Sequence, residues 1–375
     1  MKKTYLSLLL LFLQLLTGSV LQAQNISAPN RKSRINLSLW KNVATQRTDT
    51  TSHTWLNLGI SSSMNQLSGV GVNLLASITG RNTNGLQVSG ITNVIGNNML
   101  GVSISGLVNI TGNHSRGISL TGLTNIVGQS SDGLMLSGLL NLSGEQSAGV
   151  HIAGMSNIHG EDMSGIAISG LLNMTANQMT GVQLSALGNI SGNQMTGAQI
   201  GVANIAVKAR GVQIGVVNYY RQSLDGFQLG LINANPKTRV QLMIFGGNHT
   251  KLNVGARFKN ELFYTILGMG THYLDFNDKF SASLFYRAGL ELPLYKQLYV
   301  SGDLGFQHIE TFKNKHYDYP ARLYGLQARI NLEYHLTERF SLFLTSGYGG
   351  NRYYNKDITF DKGIIWEAGL ILLRL

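Results

Sequence analysis

Glycine recurs every sixteen residues through the first half of this chain, at positions 69, 85, 101, 117, 133, 149, 165, 181 and 197. An unbroken period of this length makes each unit one copy of a supersecondary element, so the repeat decides the fold of the region before any local propensity is weighed. One unit reads Gly101-Val-Ser-Ile-Ser-Gly-Leu-Val-Asn-Ile-Thr-Gly-Asn113. Counted from its glycine, aliphatic side chains stand at the first and third positions (Val102 and Ile104, Ile118 and Leu120, Val182 and Leu184). Others stand at the sixth and ninth (Leu107 and Ile110, Leu123 and Ile126, Leu187 and Ile190). Asparagine holds the eighth, in Asn93, Asn109, Asn125, Asn141, Asn157, Asn173 and Asn189. Alternating aliphatic positions bounded by glycine and asparagine mean short strands, not helices.

The simplest expectation is a β-solenoid in which each unit is one coil stacked on the next, about 4.8 Å apart. The repeat glycines Gly85, Gly101, Gly117, Gly133, Gly149, Gly165, Gly181 and Gly197 would turn the corners, where positive φ or close backbone approach is needed. Stacked Val, Ile and Leu are expected to form the core, and the asparagines a ladder of amides bonded from coil to coil. Met99, Met163, Met179 and Met195 share another position and would pack as a stripe along one corner. Calcium rolls need a repeated acidic cluster, whereas only Asp132, Glu145, Glu161 and Asp162 occur across these units. In three later units, beginning at Gly197, Gly211 and Gly226, one residue is missing before the asparagine (Asn204, Asn218, Asn233). These are expected to be flatter, longer strands leading into the next domain. The rival geometry makes each unit one strand of an up-and-down barrel, but the alternating short and long connections of such barrels would impose a 32-residue period, and none is visible.

The first residues read as a secretory signal over 1–23. Lys2 and Lys3 precede the apolar run Leu6 to Leu16, and Ala23–Gln24 is the expected cleavage point. No cysteine occurs, which removes disulfides, thiolate chemistry, zinc–sulfur sites and a lipoprotein anchor. The net charge of +11 would suit a nucleic-acid binder, yet lysine is absent between Lys41 and Lys208. The basic excess lies after Lys208, interleaved with carboxylates, so no nucleic-acid partner is expected. Catalysis is not expected either. His114, His151 and His159 have no neighbour at metal-ligand spacing, and neither a nucleophile elbow nor a phosphate-cradling loop is present. No cofactor is implied.

From about Arg239 the pattern changes to longer segments with strict alternation. Phe280, Ala282, Leu284, Tyr286, Ala288, Leu290 and Leu292 share one face, while Ser281, Ser283, Arg287, Gly289 and Glu291 share the other. Tyr324 to Tyr334 repeats the pattern, and six further segments (239–246, 251–259, 262–273, 297–309, 339–350, 363–374) bring the total to eight. Such segments fit a small antiparallel outer-membrane barrel whose interior is filled by side chains. Arg257, Arg287 and Arg329 would pair inside with Glu291, Asp303, Glu333 and Glu367. Short turns are expected near Asn260, at 294–297 and at 336–339, and long connections at 310–321 and 351–362. A soluble β-sandwich is the alternative. The domain plan is thus a signal (1–23), an N-terminal segment or cap (24–60), the repeat domain (61–236) and the barrel (237–375).

The segments Ile35-Asn-Leu-Ser-Leu-Trp40, Leu56-Asn-Leu-Gly59 and Gly69-Val-Gly-Val-Asn-Leu-Leu75, with the Gly-Val-Gln-Ile-Gly-Val-Val-Asn units, resemble an exported bacterial surface-repeat family of leptospires and Bacteroidetes-type bacteria. The likeness spans roughly residues 33–235; the regular sixteen-residue unit departs from the family's shorter form. The resemblance implies an outer-membrane or cell-surface location and no defined activity. Two function classes follow. One is a structural or adhesive repeat module held by outer-membrane lipid, with an unidentified protein or glycan partner. The other is a transport or gating component in which the repeats plug, extend or join a barrel.

Overall fold

The computed structural model describes residues 34–40, 43–46, 53–273, 279–314, 322–355 and 357–374. The expected signal peptide lies outside the described residues. Among the described residues every regular element is a strand, and the chain divides into two compact units: residues up to Val212 with Leu224–Gly226, and Gln213–Ser223 with Phe227–Leu375.

The first unit is a parallel β-solenoid. It begins with β1 (Ile35–Trp40), β2 (Val43–Ala44), β3 (His53–Met64) and β4 (Gln66–Thr79). Long and short strands then alternate, two per coil, from β5 (Thr83–Ser89) and β6 (Thr92–Ile95) to β15 (Met163–Ser169) and β16 (Leu172–Thr175). It continues through β17 (Gln178–Ser185), β18 (Gly188–Ile200) and the start of β19 (Ala203–Ala234). From β4 to β18 each strand pairs in parallel with its equivalent sixteen residues on, as in Gly117↔Gly133 and Asn125↔Asn141. The rival in which each unit is one antiparallel barrel strand is thereby excluded.

Glycine is required at the corners for two reasons. Gly117 has φ +124°, and a Cβ there would overlap the carbonyl oxygen of Gly101 in the coil before. Gly106 and Gly112 have no such φ, but a Cβ on either would strike the equivalent carbonyl of the preceding coil. Three glycine rows thus let three corners stack at backbone contact.

The core is the reverse of the one expected. Val102, Ile104, Leu107, Ile110 and their equivalents are half-buried or exposed on the outside. The stacked interior instead holds Ser115, Ser119, Asn125 and Val127 in one coil, and their polar and small counterparts in the others. Alternation along a strand puts either set inward, and hydrogen bonding decides which. Asn125 Nδ2 faces the carbonyls of Ser119 and Leu136 as well as Asn141 Oδ1, an arrangement available only inside the coil. The methionines are interior packing and not a corner stripe: Met99, Met163, Met179 and Met195 are at most 1% exposed.

Two boundaries also differ from expectation. β1 is already a coil, pairing in parallel with β3 (Asn36↔Asn57), so the array starts at Ile35 and not after residue 60. The end is closed by β2, which folds back antiparallel on β1; Gln46 N–H and Thr45 Oγ1 donate to Asn36 Oδ1, the last acceptor of the ladder. The shortened units do form longer strands, β19 running from Ala203 to Ala234, but they still turn, since Gly211 and Gly226 keep φ of +121° and +150°.

The second unit contains a closed antiparallel barrel of eight strands. These are β20 (Arg239–Gly247), β21 (Leu252–Asn260), β22 (Phe263–Thr271), β23 (Lys279–Tyr295), β24 (Leu298–Asn314), β25 (Arg322–His335), β26 (Phe340–Tyr353) and β27 (Thr359–Arg374). β20 pairs with β27, so the wall closes without any strand of the repeat array, and the repeats do not join the barrel. The short turns fall where expected, with Glu261 and Lys296 at positive φ. The two long connections are shorter than expected because the ladders run on: β24 reaches Asn314, and β26 and β27 stay paired to Arg352↔Thr359. Residues 315–321 lie outside the described set.

Candidate functional site

Three features of these units bear on function: the spine inside the solenoid, the filled barrel, and the outward faces of both. The spine is the asparagine ladder. Asn93, Asn109, Asn125, Asn141, Asn157, Asn173 and Asn189 each donate Nδ2 to the Oδ1 of the next asparagine at 2.9–3.1 Å, the last of them to Asn204, and in the shortened units Asn218 donates to Asn233 at 2.8 Å. Between the Asn57–Asn73 step and Asn93 the ladder breaks: Ser77 stands opposite Asn93, and Ser77 Oγ and Asn93 Oδ1 have no partner. All these amides are buried, and apart from Asn73 Nδ2 and Asn93 Oδ1 at the break they are bonded to their own neighbours, so the row is a support.

The structure brings together two histidines that spacing along the chain keeps apart. His151 and His159 occupy positions two and ten after Gly149, which face each other across the coil interior. Their Nδ1 and Nε2 atoms lie 2.8 Å apart, with Ser131 and Thr175 hydroxyls at 3.5 Å on the far sides. Burial lowers His151 to about 4. Burial, then the neighbouring His151, lowers His159 to about 3, against a raising hydrogen bond at the Met174 backbone. The expectation that neither has a second histidine nearby is therefore corrected. A two-residue period within each strand and the half-coil offset together predict the meeting. No third protein ligand joins them among the described residues.

In the barrel, the seven charged residues expected inside are all buried there. Arg257 Nη1 donates to Glu333 at 2.8 Å and to Glu291 at 3.2 Å, and Lys259 pairs with Glu291. Arg287 makes a two-pronged pair with Glu367 at 2.8 and 2.9 Å. Arg329 is held less closely, 3.5 Å from Glu367 and 3.7 Å from Asp303, while Asp303 accepts from Tyr264 and Asn331. An apolar layer of Met243, Phe245, Ile266, Phe285, Phe343 and Ile371 fills the interior beside this network. Sequence alternation put Asn331 on the interior face but did not single out Lys259 or Tyr264, because each becomes part of the network only through cross-barrel distance.

Glu291, Glu333 and His335 bring three potential metal-ligand atoms within 4.8 Å of one another. Arg257 and Lys259 already neutralise the two carboxylates, and His335 stacks on Tyr299 with ring centroids 4.1 Å apart. The cluster has no net negative charge to draw a cation.

The outward wall of the barrel is opposite in character. From Tyr324 to Tyr334 the outward residues are Leu326, Ala328, Ile330 and Leu332, and from Ala282 to Leu292 they are Leu284, Tyr286, Ala288 and Leu290. Among the described residues, charged outward residues of the strands are confined to the end away from the short turns, where Glu310 pairs with Arg322. Against this wall, within the same compact unit, lies the last repeat strand. Thr265 Oγ1 donates to the Leu231 carbonyl at 3.0 Å and Tyr286 OH to the Gly230 carbonyl at 2.9 Å. Phe227 meets Phe263 edge-on at 6.3 Å.

No protein-family model and no curated protein matches the chain. Among solved structures, it is similar to the N-terminal β-barrel domain of Pseudomonas aeruginosa OprF (15% identity, TM-score 0.25), over 36% of this chain and 95% of that one. It is also similar to Neisserial surface protein A, NspA (12% identity, TM-score 0.25), over 36% of this chain and 94% of that one.

Proposed function

We propose that this chain is an outer-membrane protein with a structural, non-catalytic role, in which the eight-stranded barrel is the anchor and the repeat array a rigid scaffold attached to it. The observation that carries this reading is the polarity of the barrel wall. Its charges are paired inside and its outward belt is aliphatic with tyrosines at both ends, which is stable only if the surroundings are apolar. A belt of about ten residues per strand, tilted by about 40°, is roughly 25 Å tall, the height of an outer-membrane hydrocarbon zone. A β-sandwich in water would place the arginines and glutamates outward.

Transport is the weaker reading, since an eight-stranded interior filled by the Arg257, Arg287 and Arg329 clusters leaves no channel. Display of the repeats as an adhesin is weakened by strand parity. With eight strands, the chain enters and leaves the barrel at the short-turn end, which in outer-membrane barrels faces the periplasm. The test is expression of the full chain in a Gram-negative host, with one epitope inserted at Asp357 and another at Asn97. The expected result is recovery in the outer-membrane fraction, with the first epitope detected on intact cells and the second only after permeabilisation. Recovery in the soluble periplasm would overturn the anchor, and detection of the Asn97 epitope on intact cells would restore the adhesin.

A further inference from the structure

The outer surface of the solenoid has the polarity of the barrel wall. In the seven coils that begin at Gly85 and end with the one begun by Gly181, no Asp, Glu, Lys or Arg occurs from the glycine to the tenth residue after it. The charged residues of this stretch (Arg116, Asp132, Glu145, Glu161 and Asp162) all fall in the remaining part of the coil, between the twelfth residue after the glycine and the residue before the next one. The opposite corner is a ridge of large aliphatic side chains. Leu107, Leu123, Leu139, Met155, Leu171 and Leu187 are 39–57% exposed, flanked on both sides by the outward Val, Ile and Leu rows. A coil that turns its asparagines and serines inward and its leucines outward, coil after coil, builds the kind of contiguous apolar surface that marks a partner or membrane contact.

We propose that this aliphatic ridge lies in the acyl chains of a bilayer leaflet, with the charged corner toward water and headgroups. The inference rests on the membrane reading of the barrel. Three observations favour lipid over a protein partner. First, the interior amides are bonded to one another along almost the whole array, which is the condition for a backbone and its polar side chains to tolerate an apolar medium. Second, the ridge is uniform along its length, with no pocket, charge or register mark that would recognise a particular partner, whereas lipid needs only a continuous apolar surface with a polar rim. Third, Phe227, Gly230 and Leu231 of the last coil sit against Phe263, Thr265 and Tyr286 on the barrel's outward wall. The final repeat thus occupies wall that lipid would otherwise cover.

Tryptophan quenching by lipids brominated on the acyl chains tests this in the full chain refolded into vesicles. Native tryptophans are Trp40, Trp55 and Trp366, and Trp366 faces outward from the barrel. Three single-tryptophan forms are compared: Trp366 itself, Leu123→Trp on the ridge and Gln129→Trp on the charged corner, with Leu171→Trp as a second ridge site should Leu123→Trp fail to fold. The expected result is loss of emission for the ridge tryptophan comparable to that of Trp366, and little loss for Gln129→Trp. A quenched Trp366 with an unquenched ridge tryptophan would overturn the proposal while leaving the barrel reading intact. If that ridge tryptophan were also blue-shifted and the protein dimeric, the ridge would belong to a second copy of the chain. An unquenched Trp366 would remove the membrane reading of the barrel, and this inference with it.

Discussion

At the scale of the residue, side chains in the repeats are fixed by what stands one coil away. Asn125 is bonded to Asn109 before it and Asn141 after it, so its role is set at a sequence distance of sixteen. His151 and His159 show the same geometry across the coil, at a distance of eight, and they carry a pH dependence. Above pH 6.5 both imidazoles are neutral in the folded and unfolded chain, and their contribution to stability is complete. As the pH falls through the interval between 6.5 and the folded values of about 4 and about 3, the unfolded chain takes up protons that the buried pair refuses. Stability is therefore lost on acidification as the interval is crossed. Comparing denaturant midpoints of the native chain with those of H151S/H159T between pH 7 and pH 4 isolates this part; the variant is expected to have the shallower decline, and parallel profiles would contradict the account. The asparagine ladder and the corner glycines were legible in the sequence because each recurs at one phase of the period. The histidine pair was not, because it depends on knowing that both phases point inward.

At the scale of the element, the barrel strands were legible almost residue by residue, since strict alternation over ten or more residues fixes which side chains share a face. The seven interior charges follow from that alternation alone. Their partners do not, because pairing runs across the barrel between strands distant in sequence, as in Arg257 with Glu333. A buried ion pair that loses one member leaves an uncompensated charge, which costs more than the intact pair contributes. Arg257→Met is therefore expected to lower stability by about 3–5 kcal/mol. R257M/E333Q, which removes charge from both sides, should recover part of that loss. Urea unfolding of the refolded protein in detergent checks this, and a double variant less stable than R257M alone would contradict it. The solenoid strands were less legible. Seven residues with aliphatic and polar phases of equal regularity do not declare which phase is inside, and the habit of burying leucine gives the wrong answer here.

At the scale of the whole molecule, the two units follow one rule: polar groups turned inward and bonded to one another, aliphatic groups turned outward. The barrel does so with arginine and glutamate, the solenoid with asparagine, serine and glutamine. One sequence signal bore on this inversion, namely the confinement of every charge in the regular coils to one corner, which leaves the aliphatic phases no charged partner to shield them from a membrane. The coil-by-coil direction of the side chains is the claim on which the rest depends. A single-cysteine scan of the coil from Gly117 to Asp132, in a chain with no native cysteine, reads it directly through labelling of the folded protein in detergent by an apolar maleimide that partitions into the micelle. The account predicts that Ile118→Cys and Leu123→Cys are labelled while Ser119→Cys, Asn125→Cys and Val127→Cys are protected. Protection at Ile118 and Leu123 with labelling at Ser119 and Asn125 would contradict it, and would restore an ordinary aliphatic core.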